Sequence, residues 1–278
     1  MQSIAPDGSH CTNSVQGTHS VQAAGAVAPF LITWDDRSRQ WCDRYRGQRP
    51  LLACVLGFTA TGLIPGISAA GATPDDRRIT ALADAEFLIE GPVRSPRFPL
   101  PPLQAGASPV LITRAVTTGL DLPVWLFDAG LAQALSVPAI ALAGEPARCL
   151  TTGQALSRAT VDQLLAAGLA WGDRLASELD PASYGLVAEC VVGGTSTALA
   201  LLLGLGIDAA DKVNSSHPTC NHSQKWQIAQ AGLARSGLGQ WQGDRFVLGW
   251  GPGPSAQPDS EAILNLSLIH ISEPTRPY

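Results

Sequence analysis

The pair Gly193-Gly194, followed by Thr195, Ser196 and Thr197, is the part of this sequence best suited to holding an anion. It lies between a strand-like stretch, residues 184–189 (YGLVAE), and a helical run, ALALLLGLG. Two glycines at the end of a strand let backbone N–H groups face outward from the first turn of a helix, where no intrahelical acceptor exists and the dipole favours negative charge. Glycine accommodates a positive φ and carries no Cβ that would hold the anion away, while the three hydroxyls can add donors or cap the helix. The pattern is neither G-x-G-x-x-G nor a P-loop, since no lysine follows the second glycine, and an ordinary strand-to-helix turn with a threonine cap fits the same residues. Glu189 falls at the C-terminal end of the strand, where open α/β sheets place ligand-contacting side chains, although a solvated end charge fits the pattern equally well.

A second group, Lys212, Asn214, Ser215, Ser216, His217, Thr219, Cys220, Asn221 and His222, packs an amine, amides, hydroxyls and two imidazoles into eleven residues and reads as a site loop. His217, Cys220 and His222 could in geometry hold a metal, but a structural zinc needs a fourth partner that the neighbourhood does not offer. An anion-binding loop or a satisfied turn fits those residues better. Asp75 to Arg78 reads as a solvated helix face with local ion pairs, and Trp41 and Trp226 as packing residues.

The elements that must position these groups follow from the apolar pattern. Residues 51–57 (LLACVLG) form a short continuous apolar run, as in a strand buried on both faces, and a glycine-rich turn follows. Thr73-Pro74-Asp75-Asp76 supplies an N-cap, a proline at the first helical position and acids against the positive dipole end, which predicts a helix to about Ala83. Beyond residues 86–90 (EFLIE) and a proline-rich connection, the runs 110–113, 124–127 and 139–142 read as further strand-like pieces. Thr160 with Gln163 suggests a capping box opening a helix over 161–179. The alternation predicts an α/β fold, a parallel Rossmann-like sheet flanked by helices with a small helical lobe.

The 278 residues, 45% hydrophobic and 15% charged, suffice for one large domain. A net charge of -5, with the basic residues scattered, offers no field for nucleic-acid phosphates, so nucleic acid is excluded as a partner. The longest apolar stretch, residues 198–207, is about half of the roughly 20 residues a membrane helix needs. Six cysteines spaced far apart read as reduced thiols of a cytoplasmic protein. Residues 1–36 are polar and without periodicity, and are expected to be a disordered or mis-assigned extension.

Four segments, RYRGQRP (44–50), CVLGFTATGLIPGISAAGATPDDRR (54–78), AECVVGGTSTALALLLGLGI (188–207) and KVNSSHPTCNHSQKW (212–226), together resemble the nicotinate-mononucleotide:dimethylbenzimidazole phosphoribosyltransferases, in a divergent branch. The resemblance runs from about Tyr45 to Gln242. It implies that Glu189, Gly193, Gly194, Thr195, Ser196 and Thr197 open a helix beneath the nucleotide phosphate. Lys212 would add charge there, with Asn214, Ser215 and Ser216 beside it. It further implies transfer of a phosphoribosyl group from nicotinate mononucleotide to a benzimidazole-type base, giving α-ribazole phosphate for cobalamin biosynthesis. That chemistry requires no metal or other cofactor. A homodimer is the implied assembly.

The family's proton-accepting glutamate lies in a Gly-Glu-rich motif near its C-terminus, and that motif has no match in this sequence. After about Asp244 the family likeness ends as it would after a frame error, and residues 266–276 (LSLIHISEPTR) resemble a translated sequencing adapter. The expected organisation is an incomplete transferase-like domain over 37–244, followed by a non-native tail over 245–278. The resemblance implies an active parent enzyme and an inactive chain of this length.

Overall fold

The structure, a computed structural model, describes residues 36–100, 108–213 and 221–249. It divides into two compact units, residues 1–46 and 47–278. The described part of the first is the helix α1 (Asp36–Tyr45) with Arg46. Trp41 stacks on Tyr45 with ring centroids 5.0 Å apart yet remains 55% exposed, so it is not the packing residue that its size suggests.

The second unit is built on a parallel sheet of β1 (Leu51–Leu56), β2 (Val124–Asp128), β3 (Ile140–Ala141) and β4 (Gly185–Cys190), in the order β3-β2-β1-β4. The apolar run that opens β1 places it in the middle, between β2 and β4, where both of its faces are covered. Leu52, Cys54 and Leu56 point to one face, against α2 (Pro74–Glu90) and α3 (Val110–Gly119). Leu51 and Ala53 point to the other, against α4 (Arg158–Glu178), whose Trp171 packs edge-on to Trp125 and Phe127. A third core joins α5 (Gly194–Gly204), α6 (His222–Ser236) and a hairpin of β5 (Gly239–Gln242) and β6 (Arg245–Leu248). Here Trp226 does pack, against Trp241 at 5.2 Å. The boundary expected at Asp244 falls in the turn of this hairpin, and Phe246 just beyond it is 2% exposed.

The α2 cap forms as the residues dictate. Thr73 Oγ1 accepts from the Asp76 N–H at 3.1 Å and Asp76 returns the bond to the Thr73 N–H at 2.9 Å, with Pro74 in the first turn. The helix runs seven residues past the expected stop at Ala83, because residues 86–90 continue its core face through Glu86 and Leu88, and Gly91 at φ +79° ends it. The run 110–113 is helical, not a strand. Its β-branched residues yield to the packing of Val110 and Thr117 on one side of α3, while Ile112 is 72% exposed. In α4 the cap is Ser157, whose Oγ accepts from the Thr160 N–H at 3.1 Å, so the helix begins three residues before the expected 161.

Candidate functional site

The C-terminal end of β4 leads into the glycine turn. Gly193 caps α5 at φ +92°, in the left-handed region that favours glycine, and its carbonyl accepts from the Ser196 N–H at 3.0 Å. The turn is closely backed by Gly62, on the loop after β1. A methyl group on Gly62 would stand 2.6 Å from the Val192 carbonyl oxygen, and one on Gly193 would stand 3.0 Å from the Gly62 nitrogen. Two chain segments therefore meet backbone to backbone at the mouth of the first helical turn.

The hydroxyls of this turn have different fates. Thr197 Oγ1 donates to the Gly194 carbonyl at 2.7 Å, so its proton is spent on its own helix. Ser196 is fully buried, and its Oγ has no hydrogen-bond partner among the described residues. Thr195 Oγ1 accepts from Lys225 Nζ at 2.9 Å, and Lys225 is itself 0% exposed. An orphaned buried hydroxyl costs about 1–3 kcal/mol, so a polar group reaching Ser196 would relieve that penalty. The N-terminal dipole of α5 gives that group a negative sign.

Lys225 was not among the residues expected here, although it lies in the segment 212–226. The signal was present: Lys225, Ile228, Ala229, Gly232 and Leu233 occupy the core stripe of α6, and a lysine in such a stripe is rare without a specific partner. Lys212 is elsewhere occupied. Its Nζ donates to Asp208 at 2.9 Å (Oδ2) and 2.7 Å (carbonyl) on an exposed turn, and this bond holds the Asp208 carboxyl below its ordinary range. Asn214, Ser215, Ser216, His217, Thr219 and Cys220 lie outside the described residues. His222 opens α6, and its Nδ1 is buried without a partner among the described residues. Beside it, Asn221 Nδ2 donates to the Gly66 carbonyl at 2.9 Å and Gln224 Nε2 to that of Pro65 at 2.7 Å, which anchors α6 to the loop after β1.

Glu189 pairs in register with Val55 and lines a cavity of about 730 Å³ between α4 and α5, walled by Phe127, Trp171, Val187 and Leu201. On the opposite face, Cys190 Sγ donates to Asp84 Oδ2 at 3.5 Å and Ser108 Oγ to Asp84 Oδ1 at 2.8 Å. Burial raises the Asp84 carboxyl above its ordinary value, against those two bonds. Burial first, then the charges of Asp84 and Glu189, pushes the Cys54 thiol up to about 11, and burial with Asp84 pushes Cys190 well above its ordinary value. Both thiols stay protonated at neutral pH and are structural rather than nucleophilic. Cys42, Cys54, Cys149 and Cys190 are free, and among the described residues no His, Cys, Asp and Glu groups converge as a metal site.

Asp75 and Arg78 form the expected solvated pair at 3.7 Å, but Arg77 does not. It is 5% exposed and turned under the loop after β1. Arginine in a short run of charges reads as surface; here the loop over it supplies carbonyl acceptors that only the folded chain brings together.

No family model matches the chain. Over 211 residues, 75% of this chain, it is 65% identical to a UPF0284 protein of Cyanothece, of which the match covers 56%. The chain thus spans about half the length of the curated relatives it matches. Its fold is shared with CobT from Thermus thermophilus, at a TM-score of 0.51 with 17% identity, over 79% of this chain and 54% of that one. A second solved chain from that organism, a nicotinate-nucleotide-dimethylbenzimidazole phosphoribosyltransferase, aligns at 0.49 with 18% identity over 79% and 53%. The parallel α/β sheet expected from the alternation of strand-like and helical pieces is the fold observed, and no described helix is long and apolar enough to cross a membrane.

Proposed function

We propose that this chain carries the phosphate-holding part of a phosphoribosyl-transfer site, of the kind that moves phosphoribose from nicotinate mononucleotide to a benzimidazole-type base. The observation that carries the reading is the buried Lys225 ammonium donating to Thr195 Oγ1 in the first turn of α5, a turn that also holds the buried Ser196 hydroxyl, which has no partner among the described residues. A 5′-phosphate there accepts from the backbone N–H groups of the turn, from Ser196 and from Lys225. The fold shared with CobT supports the same reading.

Anchored in this way, the ribose can be presented to the incoming base in one orientation, which lowers the entropic part of the barrier. The C1′–N bond to nicotinate breaks, nicotinate leaves with the electron pair, and the base nitrogen forms the new C1′–N bond. The proton on the base's other ring nitrogen passes to a carboxylate, which leaves the product base neutral. The family resemblance assigns that carboxylate to the Gly-Glu motif, which has no counterpart in residues 1–278. A non-catalytic nucleotide-binding module is the second reading, since the turn and Lys225 would hold a phosphate whether or not a proton acceptor stands opposite it. A homodimer is the expected assembly, checked by sedimentation.

Calorimetric titration tests the reading. Nicotinate mononucleotide should bind and nicotinate riboside, which lacks the phosphate, should not, and Lys225→Met should weaken the mononucleotide about tenfold or more. Equal affinity for the two ligands would overturn it. Formation of α-ribazole phosphate separates enzyme from binding module.

A further inference from the structure

Arg77 is a buried charge that the proposed site does not use directly. Its Nε donates to the Gly62 carbonyl at 2.7 Å, its Nη1 to that of Gly71 at 3.1 Å and its Nη2 to that of Leu63 at 3.4 Å. All three acceptors are backbone carbonyls of one loop, and the side chain is 5% exposed. Burying a guanidinium costs free energy that three neutral acceptors only partly offset, and the fork fixes the loop in one position, which a single ammonium cannot do. The residue fixed most tightly is Gly62, the one that touches Val192 and Gly193 backbone to backbone.

We infer that Arg77 is a positioning residue for the glycine turn of α5, acting through Gly62. The inference rests on the phosphate reading of that turn for its consequence, but not for its geometry. The guanidinium holds the Gly62 carbonyl, Gly62 backs Val192 and Gly193, and these set the direction of the first N–H groups of α5. Its buried positive charge adds to the field that an anion meets there. Without the fork, the Gly62, Leu63 and Gly71 carbonyls lose their donor, and the loop shifts to find others. The turn then loses its backing, and a misplacement of about 1 Å in a binding constellation can cost on the order of a hundredfold.

The experiment compares Arg77→Gln and Arg77→Lys with Glu86→Gln. The last lies on the same helix and also loses buried hydrogen bonds, but its bonds come from Arg97, Phe98 and Ser136 rather than from the loop. Two readouts are taken at a temperature where all variants are folded: the amide resonances of Gly193 and Gly194, and the dissociation constant for inorganic phosphate. The Arg77 variants should shift both amides and weaken phosphate about tenfold, with Arg77→Lys recovering little because one ammonium cannot span Gly62 and Gly71. Glu86→Gln should move neither readout. Unshifted amides in Arg77→Gln, or shifts equalled by Glu86→Gln, overturn the inference. Shifted amides in a chain whose wild type binds no phosphate leave the positioning role standing and overturn the phosphate reading alone. Should Arg77→Gln fail to fold, Arg77→Lys carries both readouts.

Discussion

Glu86 and Lys225 both bury charge, and they do so to different ends. At the far half of α2, Glu86 is 2% exposed and its carboxylate is closed by the fold itself, accepting from the Arg97 N–H at 2.6 Å, the Phe98 N–H at 3.1 Å and Ser136 Oγ at 2.5 Å. At the first turn of α5, Lys225 is equally buried, yet it reaches the hydroxyl of Thr195 and lies in a neighbourhood where Ser196 Oγ has no partner among the described residues. A buried ion whose valences the chain satisfies is a structural staple, because removing it leaves donors stranded. At α5 the group left unsatisfied among the described residues is the Ser196 hydroxyl, and that, rather than the burial of Lys225, marks the turn as a seat for a further polar group.

The comparison breaks most visibly at Glu86. Replacing it with Ala strands three donors and should cost about 3–5 kcal/mol by denaturant unfolding, whereas an effect under 1 kcal/mol would show that the carboxylate is not the closure described. Lys225→Met should do the reverse. It should leave stability unchanged or raise it, since methionine suits the core stripe of α6, while mononucleotide affinity falls about tenfold, or about 1.4 kcal/mol. A large loss of stability with intact affinity would make Lys225 a staple as well. Ser196→Ala sharpens the contrast at smaller scale: removing an orphaned hydroxyl should be neutral or slightly stabilising in unfolding, with a severalfold loss of phosphate affinity.

Acid provides a subtler test. Burial alone would raise the Glu86 carboxyl, but the bonds from Ser136, Arg97 and Phe98, with the Arg97 charge, outweigh it and hold the group below its ordinary value of 4.5. A depressed carboxyl contributes stability that is complete above its unfolded value and is lost as pH falls from there through the folded one. Unfolding measured from pH 6 down to 3 should therefore steepen below about 4.5, and Glu86→Gln should flatten that limb. The smallest effect belongs to Lys212→Ala, which removes an exposed pair with Asp208 and should change stability by less than about 0.5 kcal/mol.

Much of the architecture is legible in the sequence. The run LLACVL had to be a strand buried on both faces, the Thr73-Pro74-Asp75-Asp76 tetrad a helix start, and the glycine pair after residues 184–189 a strand-to-helix turn, because each depends on local geometry that a few neighbouring residues decide. Where sequence reading failed locally it failed to packing: residues 110–113 have the β-branched composition of a strand, but the surface of α2 accepts them as a helix.

The candidate site divides in the same way. Sequence alone determined the Gly193 turn and its hydroxyls, since their proximity is written into consecutive positions. Only the tertiary structure decided which cations accompany them. Lys225 lies thirty residues along the chain from Thr195, and Gly62, held by Arg77, lies more than a hundred residues before Gly193. Their meeting depends on strands β1 and β4 pairing side by side in parallel, and on α6 packing against α5 and the loop after β1. Spacing along a chain carries no record of such pairings, because they are paid for by the burial of whole faces rather than by any one residue.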